Sequence, residues 1–415
     1  MLDLRQIRED PEPARAALAR RGVDPASLDE ALELDDRRRA ILPELEELRR
    51  RKNEASKRIG DLQRQGVDAS RAIADVRGIS SREKALDEEL RSVEERRSAA
   101  LALLPNLPDP TAPLEEEVLR EEGQAGASGR NHVELLGSYL DLQSASRVSG
   151  ARFAYLKGPL VRLEFALVQW AIELLEDRGF TPVVPPVLVR EHALFGTGFL
   201  PDTEQQIYHV PEDDLYLVGT SEVPLASLHA GEILGAGDLP RRYAGFSSCF
   251  RREAGAAGKD TQGIFRVHQF DKVEMFAFAE PERSPDEHER LLAIQEEILR
   301  ALEIPYRVVN IAADDLGASA AKKYDCEAWL PGQQRYREVT SASNTTDFQA
   351  RRLDIRYRPT EGQSPRHVHT LNGTAVAVGR TIIAIVENHQ QEDGTVSVPS
   401  VLHPYGAPEE IRVPA

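Results

Sequence analysis

The chain has 415 residues, of which 41% are hydrophobic and 29% are charged. This balance excludes a disordered or fibrous protein and predicts at least one large core, with two domains expected from the length. The formal net charge of −17, from 52 basic and 69 acidic residues, argues against general adhesion to nucleic acid, because phosphate binding needs a basic surface. Any contact with RNA must therefore be local.

Nothing in the sequence predicts export or a membrane segment. The first residues, MLDLRQIRED, include acids and no apolar segment, which is not typical of a signal or transit peptide. No apolar run reaches about 18 residues, the length that predicts a membrane span. Cys249 and Cys326 lie far apart without a CxxC spacing or a neighbouring histidine pair, so zinc is not expected. We predict a cytoplasmic protein with reduced thiols.

A heptad pattern runs through residues 28–104 in two stretches. The break between them, at residues 64–68, is too short for anything but an antiparallel return. Apolar residues spaced by seven, with intermediate positions also filled, are typical of a coiled-coil seam. The pattern therefore predicts an N-terminal antiparallel helical hairpin, a coiled-coil arm. Its seam residues are Leu34, Ile41, Leu45, Leu48, Ala55, Ile59 and Leu62, then Val76, Ile79, Leu86, Leu90, Val93, Ala100 and Leu104.

Some features weaken this seam. Pro43 lies inside the first helix, where a missing backbone donor favours a kink. Charged side chains occupy the seam at Arg38, Lys52, Glu83 and Arg97. We therefore expect an imperfect and flexible arm.

Positive charge is concentrated near the predicted tip of the arm. Residues 49–64 hold seven basic side chains against the two acids Glu54 and Asp61. Such a run is most often a solvated helix face, and a surface for gripping an RNA backbone is the alternative. The residues of the tip alone leave both interpretations open.

A proline-rich segment ends the arm. Pro105, Pro108 and Pro110 cannot continue the second helix, and an acidic stretch with glycines follows over residues 115–130. We predict an arm domain at residues 1–108, a linker at 109–130 and a second domain at 131–415.

Helical and strand patterns alternate in the second domain. Apolar residues from Leu160 to Leu174 fit one helix face, closed by Gly179. Strand-like runs follow at residues 181–190, 215–219, 243–251, 264–276 and 368–378. Their hairpin-like spacing predicts a mainly antiparallel sheet packed with helices, an α+β fold.

The most informative stretch is CFRREAGAAGKDTQGIFRVHQFDKVEMF, residues 249–276, which predicts two strands flanking a glycine-containing loop. A period of two places Arg251 and Glu253 on one face of the outgoing strand. On the return strand, residues 266, 268, 270, 272 and 274 share a face. Phe270 and Glu274 are then roughly 13 Å apart, which suits a ligand with a flat base at one end and a small polar group at the other. An aminoacyl adenylate has this shape.

Several segments resemble class II aminoacyl-tRNA synthetases in their seryl, bacterial-type form. RGFTPVVPPVLVR (178–190) resembles motif 1, FRREAG with VHQFDKVEMF resembles motif 2, and NGTAVAVGRTIIAIVEN (372–388) resembles motif 3. GTSEVPL (219–225) resembles the serine-binding loop, and YDCEAWLPGQQRYREVTSASN and DFQARRLDIRYR are also seryl-like. The hairpin is similar to the family's tRNA-binding arm. The resemblance covers essentially the whole chain, and its motifs occur in the right order.

The resemblance implies an enzyme that activates L-serine with Mg²⁺–ATP and transfers it to tRNA(Ser), with tRNA(Sec) open as a second acceptor. The implied catalytic residues are Arg251 and Arg380. The implied ATP contacts are Arg251, Arg252, Glu253, Val267, Phe270, Glu338, Val339, Thr340, Ser341 and Arg380. The implied serine contacts are Thr220, Ser221, Glu222, Arg251, Glu274 and Thr374.

Physical roles for these positions follow from the chemistry. An arginine such as Arg251 can fork onto the α-phosphate and the serine carboxylate, a geometry that lysine cannot copy. Phe270 offers a face to adenine, and Glu253 can accept from its amino group. Arg380 can stack on the opposite adenine face or reach the γ-phosphate.

The implied Mg²⁺ ligands are Glu338 and Ser341, since oxygen ligands suit this ion. Strict strand alternation would place these two side chains on opposite faces. A bulge or a strand end is therefore required between them.

The resemblance also implies partners. The arm would bind the shape and phosphates of tRNA, and motif 1 would contribute to a homodimer. The implied tRNA-binding residues are Arg49, Arg50, Arg51, Lys52, Lys57 and Arg58.

Some positions depart from the family pattern. Gln262 stands where a basic residue is common and Thr374 where serine is common, and residues 114–130 lack the usual run of that region. The first change would weaken a phosphate contact of the loop, whereas the second keeps a hydroxyl. Neither removes a group that the reaction needs.

Two alternatives accompany the enzyme interpretation. One is a paralogue that supplies seryl-tRNA to a specialised pathway. The other is a non-catalytic binding protein with the synthetase fold, which should have lost a phosphate or metal group. Taken alone, Arg380 could be a structural ion pair, Phe270 a core residue and Thr220 a helix cap; their joint occurrence favours the enzyme.

Overall fold

The computed structural model describes residues 1–201, 206–254, 260 and 262–412. The chain forms two compact units, Leu2–Pro105 and Asn106–Ala415, the second including Met1. The boundary lies just before the predicted one. The interval predicted as a linker, residues 109–130, belongs to the second unit and contains a strand at Glu117–Glu122.

The N-terminal unit is helical. Its long hairpin confirms the arm predicted from the heptads, and the helices break at residues 65–69 as expected. The helices are α1 (Leu4–Glu9), α2 (Glu12–Arg20), α3 (Ala26–Arg64) and α4 (Ser70–Leu103). The buried seam consists of Leu34, Ile41, Leu45, Leu48, Leu86 and Val93, with Ile79, Leu90 and Ala100 packed against it.

The charged seam positions form ion pairs across the hairpin. Arg97 lies 2.8 Å from Asp35 near the base, and Lys52 lies 2.6 Å from Glu83 farther out. From Asp35 to Lys52 along α3, the paired residue on α4 moves back from Arg97 to Glu83. The two helices are therefore antiparallel. Charge in the seam is thus neutralised locally, and Asp35 is buried between Arg97 and Arg8.

The second unit is built around one large sheet with helices against it. Its helices are α5 (His132–Leu136), α6 (Leu142–Ser149), α7 (Pro159–Asp177), α8 (Glu191–Thr197), α9 (Glu222–Ser227), α10 (Ser284–Ala301), α11 (Phe348–Leu353) and α12 (Val378–Asn388). Its strands are β1 (Glu117–Glu122), β2 (Leu140–Asp141), β3 (Tyr155–Leu156), β4 (Thr181–Val183), β5 (Leu188–Val189), β6 (Tyr208–Val210), β7 (Leu215–Leu217), β8 (Ile233–Gly235), β9 (Arg241–Phe250), β10 (Gln269–Ala279), β11 (Tyr306–Asn310), β12 (Lys322–Leu330), β13 (Arg335–Asn344), β14 (Arg356–Arg358), β15 (Arg366–His367), β16 (His369–Ala377), β17 (Val396–Ser397) and β18 (Glu410–Ile411).

The large sheet has the strand order β1-β11-β12-β13-β16-β10-β9-β4. Its pairings are antiparallel except for β4 on β9 at one edge. This arrangement confirms the predicted α+β class. The central strands β10 and β16 are almost continuously buried, because helices cover one face and the walls of a cleft cover the other.

Helix α7 illustrates how sequence sets these elements. Pro159 occupies the first turn, where its missing donor costs nothing. Leu160, Leu163 and Leu167 are fully buried in the main core. The chain then reverses at Gly179, whose φ of +84° is unfavourable for other residues.

Two predicted strands were wrong in their extent, and one of them, predicted at residues 264–276, begins only at Gln269. Residues 181–190 form two short strands in different sheets, β4 and β5, rather than one run. Pro185 and Pro186 separate them, and proline cannot donate to a strand ladder. No helix in the described ranges is both long enough and apolar enough to cross a lipid bilayer.

Candidate active site

A cleft of about 980 Å³ opens over the face of β10 and β16. Its walls include the turn after β7, the ends of β9 and β13, and the beginning of α12. Predicted site residues that line it are Thr220, Glu222, Arg251, Glu253, Val267, Phe270, Glu274, Glu338, Val339, Ser341, Thr374 and Arg380. Ser221, Arg252 and Thr340 are not among its lining residues.

One end of the cleft holds a group that we call the acidic pocket: Thr220, Glu222, Lys272, Glu274 and Thr374. The Lys272 ammonium forms an ion pair with Glu274 and donates to the Thr220 hydroxyl at 2.7 Å. The Thr374 hydroxyl lies 3.4 Å from Oε2 of Glu274. All five side chains belong to buried residues, so each charge here depends on its partners rather than on water.

Glu222 is held in a different environment from Glu274. Gln349 donates to its Oε1 at 2.7 Å, and Gln349 is itself oriented by bonds with Thr197 and Thr370. Burial, followed by the charge of Glu274, raises the pKa of Glu222 to about 7. The pocket therefore holds two carboxyl groups, one of which gains or loses a proton near neutral pH.

Glu222→Gln should stabilise the protein against unfolding above pH 7 by about 3 kcal/mol, because the pKa of Glu222 moves from 4.5 to about 7 and one pKa unit is about 1.4 kcal/mol. The folded protein keeps a proton that the unfolded chain releases, so stability from this group is complete below the ordinary carboxyl pKa and is lost as pH approaches 7. Glutamine stays neutral and still accepts from Gln349.

Melting temperatures between pH 5 and 8 measure this effect. The gap between Glu222→Gln and the parent protein should widen as the pH rises. Glu232→Gln is a matched control, because its carboxylate is about half exposed and bonded to His229. A gap that stays constant with pH would show that Glu222 is ionised throughout.

At another part of the cleft, the ring of Phe265 contacts two guanidinium groups, of which that of Arg380 lines the cleft and that of Arg337 pairs with Asp260. Arg337 lies 3.8 Å and Arg380 lies 4.6 Å from the centre of the Phe265 ring. Arg380 also donates to the Glu338 carbonyl at 2.9 Å. We call Phe265, Arg337, Glu338 and Arg380 the arginine shelf; it presents positive charge on a rigid apolar base.

The bulge required by the sequence is present in β13. The pairing with β12 shifts so that Thr340 opposes Cys326 whereas Glu338 opposes Glu327. Val339 is the extra residue, and both Glu338 and Ser341 line the cleft as a result. Although burial acts against it, the charges of Arg380 and then Lys323 lower the pKa of Glu338, so this carboxylate is ionised at neutral pH.

Arg251 lines the same cleft and is close enough to both groups to act on a carboxyl of each. Its charge opposes protonation of both Glu222 and Glu338. Its guanidinium stands 5.2 Å from the centre of the Phe270 ring and donates to the Gly219 carbonyl at 3.2 Å. His268 fixes the backbone of Arg251 through a ring contact to its carbonyl at 2.9 Å and through the reverse backbone bond.

The predicted strand alternation is confirmed for Phe270, Lys272 and Glu274, which lie in β10, but not for residues 266 and 268, which precede it. Arg266, Phe270, Lys272 and Glu274 line the cleft, whereas His268 packs between Phe153 and Tyr208. Arg251 and Glu253 lie just beyond the end of β9 rather than within it. Arg266 holds the Glu253 carboxylate at 2.7 Å. Of the predicted loop glycines, Gly255 and Gly258 lie outside the described residues.

Some residues of the cleft were not predicted. Phe265 and Lys323 line it, while Arg337 and Gln349 lie behind the lining, against Phe265 and Glu222 respectively. The orientation of Arg337 could have been predicted from alternation along β13 only if the position of the bulge had been known first. Gln349 reaches Glu222 from a helix more than a hundred residues away, a contact without a local sequence signal.

In the arm, the six predicted tRNA-binding cations fall into two classes. Arg49 and Lys52 pair with acids of α4, and Arg50 lies between Glu47 and Glu54 on its own helix. Within the described ranges, the other three are exposed and form no ion pair. These three are Arg51, Lys57 and Arg58.

Comparison with known proteins gives consistent matches. Residues 1–108 match the seryl-tRNA synthetase N-terminal domain, and residues 207–389 match the tRNA synthetase class II core domain (G, H, P, S and T). A serine--tRNA ligase of Thermobifida fusca (strain YX) is 50% identical over 98% of this chain and 97% of its own length.

Solved structures agree over the whole length. Seryl-tRNA synthetase from Pyrococcus horikoshii, complexed with ATP, is 44% identical with a TM-score of 0.93 and covers 99% of both chains. Cytoplasmic serine-tRNA ligase from Naegleria fowleri, in complex with AMP, is 33% identical with a TM-score of 0.86, covering 97% of this chain and 96% of its own.

Proposed function

The chain belongs to the seryl-tRNA synthetase family and is an aminoacyl-tRNA ligase, and we propose that its cleft joins L-serine to ATP as seryl-adenylate before the seryl group passes to the 3′ end of tRNA(Ser). One observation carries this assignment: a single cleft is lined by Arg251, by a buried acidic pocket and by the Phe265, Glu338 and Arg380 side chains of the arginine shelf. Neither the pathway paralogue nor the non-catalytic alternative receives support from the matches.

Activation needs two anions to approach each other. The serine carboxylate attacks the α-phosphate and pyrophosphate leaves; a terminal ribose hydroxyl of tRNA then takes the seryl group and AMP is released. Most of the rate of the first step comes from positioning and charge neutralisation. Arg251 can bind both anions with its planar fork, and the Phe270 ring beneath it offers a face to adenine. Arg380 on the shelf would contact the γ-phosphate or the other adenine face.

The donor set fits Mg²⁺ bound with ATP. Glu338 supplies an ionised carboxylate and Ser341 a hydroxyl, both on the cleft wall. Mg²⁺ is usually held by one or two protein oxygens together with phosphates and water. In the described residues no cluster of three or more histidine, cysteine or acidic side chains forms a metal site. When bound, the ion would neutralise phosphate charge, and Glu338 and Ser341 would hold it.

The acidic pocket suits serine. Two carboxyl groups, Glu222 and Glu274, can offset its ammonium, and hydroxyls of Thr220 and Thr374 surround the same space. A pocket that hydrogen-bonds a hydroxyl rejects an amino acid without one, because buried polar groups would be left unpaired. Alanine and glycine are therefore expected to be poor substrates.

We further propose that the arm binds tRNA mainly through Arg51, Lys57 and Arg58. These cations are exposed and form no ion pair among the described residues, so phosphates can replace water around them. Their substitution by glutamine should raise the KM for tRNA by at least about tenfold and lower the salt dependence of binding by a slope of about two to three. Serine activation should not change.

Charging assays and filter binding at several salt concentrations check this prediction. A matched triple variant of Lys84, Arg91 and Arg96 removes the same charge from exposed positions of α4. If both triple variants weaken tRNA binding equally, the effect reflects overall charge. If neither does, the arm has no role in tRNA binding.

A homodimer is also proposed. Val184 and Phe165 are 82% and 65% exposed, and Val184 lies within the segment similar to motif 1. The resemblance to motif 1 carries this proposal, and exposed apolar side chains such as these could be covered by a second subunit. We also propose that the enzyme acts in the cytoplasm, as the sequence predicts.

The proposed activity is tested by ATP–pyrophosphate exchange with each of the twenty amino acids, followed by charging of tRNA(Ser). Exchange with serine alone, together with charging, is the expected result. A folded sample that exchanges with none of them would overturn the proposal. Charging of tRNA(Sec) transcript in parallel tests the second acceptor.

A further inference from the structure

A buried histidine and glutamate beneath the cleft have no part in the reaction as described above. We propose that His132, oriented by Glu387, is a positioning residue for ATP binding, because it anchors the segment that carries Phe265 under the arginine shelf. This inference rests on the proposed binding of ATP at that shelf. It concerns neighbours of the cleft, since neither His132 nor Glu387 lines it.

Glu387 lies near the C-terminal end of α12 and is fully buried. Its Oε1 accepts from the backbone N–H of His132 at 3.0 Å and contacts Nδ1 of the His132 ring at 2.9 Å. Its Oε2 accepts from the Gly332 N–H at 2.9 Å. A buried carboxylate is costly unless such donors surround it. Here three donors converge on it from two separate segments.

The contacts fix the tautomer of the ring. A carboxylate can only accept, so the proton of a neutral imidazole lies on Nδ1, and Nε2 is left as an acceptor. The N–H of Ile264 points to this atom at 3.3 Å. Glu387 thereby prepares His132 to hold the backbone at Ile264.

The approach of this segment requires glycine next to Ile264. Gly263 has a φ of +70°, and a Cβ added there would lie 1.8 Å from Nε2 of His132. A side chain at this position would displace the ring. The backbone at Gly263 therefore packs closely against the His132 imidazole. The next two residues, Ile264 and Phe265, line the cleft.

Phe265 follows Ile264 directly and forms the base of the arginine shelf. Its ring meets Arg337 and Arg380 at 3.8 and 4.6 Å. Arg380 belongs to α12, the helix that also provides Glu387. One end of α12 thus carries a proposed ATP contact, and the other end orients the histidine that places the ring beneath it. A displaced Ile264 would move the ring away from both cations.

Two substitutions at His132 separate its contacts. His132→Asn keeps a donor near Nδ1 for Glu387 but loses the acceptor for Ile264. His132→Gln can place a carbonyl oxygen near Nε2 but loses the bond with Glu387. In serine-dependent ATP–pyrophosphate exchange, His132→Asn should raise the KM for ATP about tenfold, the usual effect of one lost buried hydrogen bond. His132→Gln should raise it less than about threefold, and the KM for serine should stay within about twofold in both.

Phe265→Leu tests the same set of contacts at the ring that His132 is proposed to position. It should raise the KM for ATP alone, and adding His132→Asn should give no further increase, since coupled residues are not additive. This variant also serves if His132→Asn fails to fold, as judged by its melting temperature. His403→Asn is the matched control, because it loses a similar ring contact, to the Val398 carbonyl at 3.0 Å, away from the cleft lining.

The inference is overturned if His132→Asn and His132→Gln behave alike, if both substrates' KM values rise together, or if the effects of His132→Asn and Phe265→Leu add. Wild-type exchange is measured in the same series. Its absence would count against the proposed function, whereas normal wild-type exchange with unshifted variants would count against the role of His132 alone.

Discussion

Arg251→Ala should reduce serine-dependent ATP–pyrophosphate exchange by about 10³-fold or more while the protein stays folded. The guanidinium lies over Phe270 in the cleft that the acidic pocket and Arg380 of the arginine shelf also line, where both the serine carboxylate and the α-phosphate must come. Loss of one preorganised charge-stabilising donor commonly costs 10²- to 10³-fold, in rough terms, and this side chain would serve two anions.

A conservative substitution at Arg251 tests whether the planar guanidinium is needed in addition to its charge. Arg251→Lys keeps the charge but not the fork, so it should still lose roughly 10²-fold. Arg241→Ala, at the other end of β9 and outside the cleft, is the control. Near-normal exchange by Arg251→Ala would overturn the assignment of the cleft as the site of serine activation.

The sequence predicted the arm well because its signal is local. A heptad repeat needs only the order of residues along one helix, and the buried seam of α3 and α4 follows it. The sequence could not predict which of the tip cations are neutralised by acids of the other helix. Arg49 and Lys52 look the same in sequence as Arg51, but their acids lie across the hairpin at Asp87 and Glu83.

In the second unit, the bulge in β13 was predicted from the implied roles of two side chains, because hydrophobic periodicity alone did not indicate it. The bulge at Val339 was required only because Glu338 and Ser341 had to share a face. Strand β1 was missed because all six of its residues are exposed at the sheet edge. It therefore shows no alternation between buried and exposed positions, and its pairing with β11 is a long-range contact.

The placement of Phe265 shows the same limit. Alternation suggested that residues 264–276 form one strand, but β10 begins only at Gln269. Gly263 and His132 hold the preceding residues in another conformation. The contact joins residues more than a hundred positions apart, and no spacing in the sequence indicates it.

Glu274→Gln should lower kcat/KM for serine in the exchange reaction by roughly 10³-fold, while the KM for ATP changes little. Glu274 is 2% exposed, so it can serve as a strong acceptor for the serine hydroxyl only while water is excluded. The ratio of serine to alanine activation should fall with it. Thr374→Val, which removes a hydroxyl 3.4 Å from Glu274, should cause a smaller loss of about tenfold.

The buried ion pair complicates this experiment, and a second substitution resolves it. Removing the Glu274 charge leaves Lys272 buried without its carboxylate partner, a situation that destabilises proteins by about 3–5 kcal/mol. Lys272→Met in the Glu274→Gln background removes that charge. If the low activity reflected instability alone, the double variant would recover serine activation together with its melting temperature. Recovery of the melting temperature without recovery of activation would instead show that the Lys272–Glu274 pair is needed for serine activation itself and not only for stability.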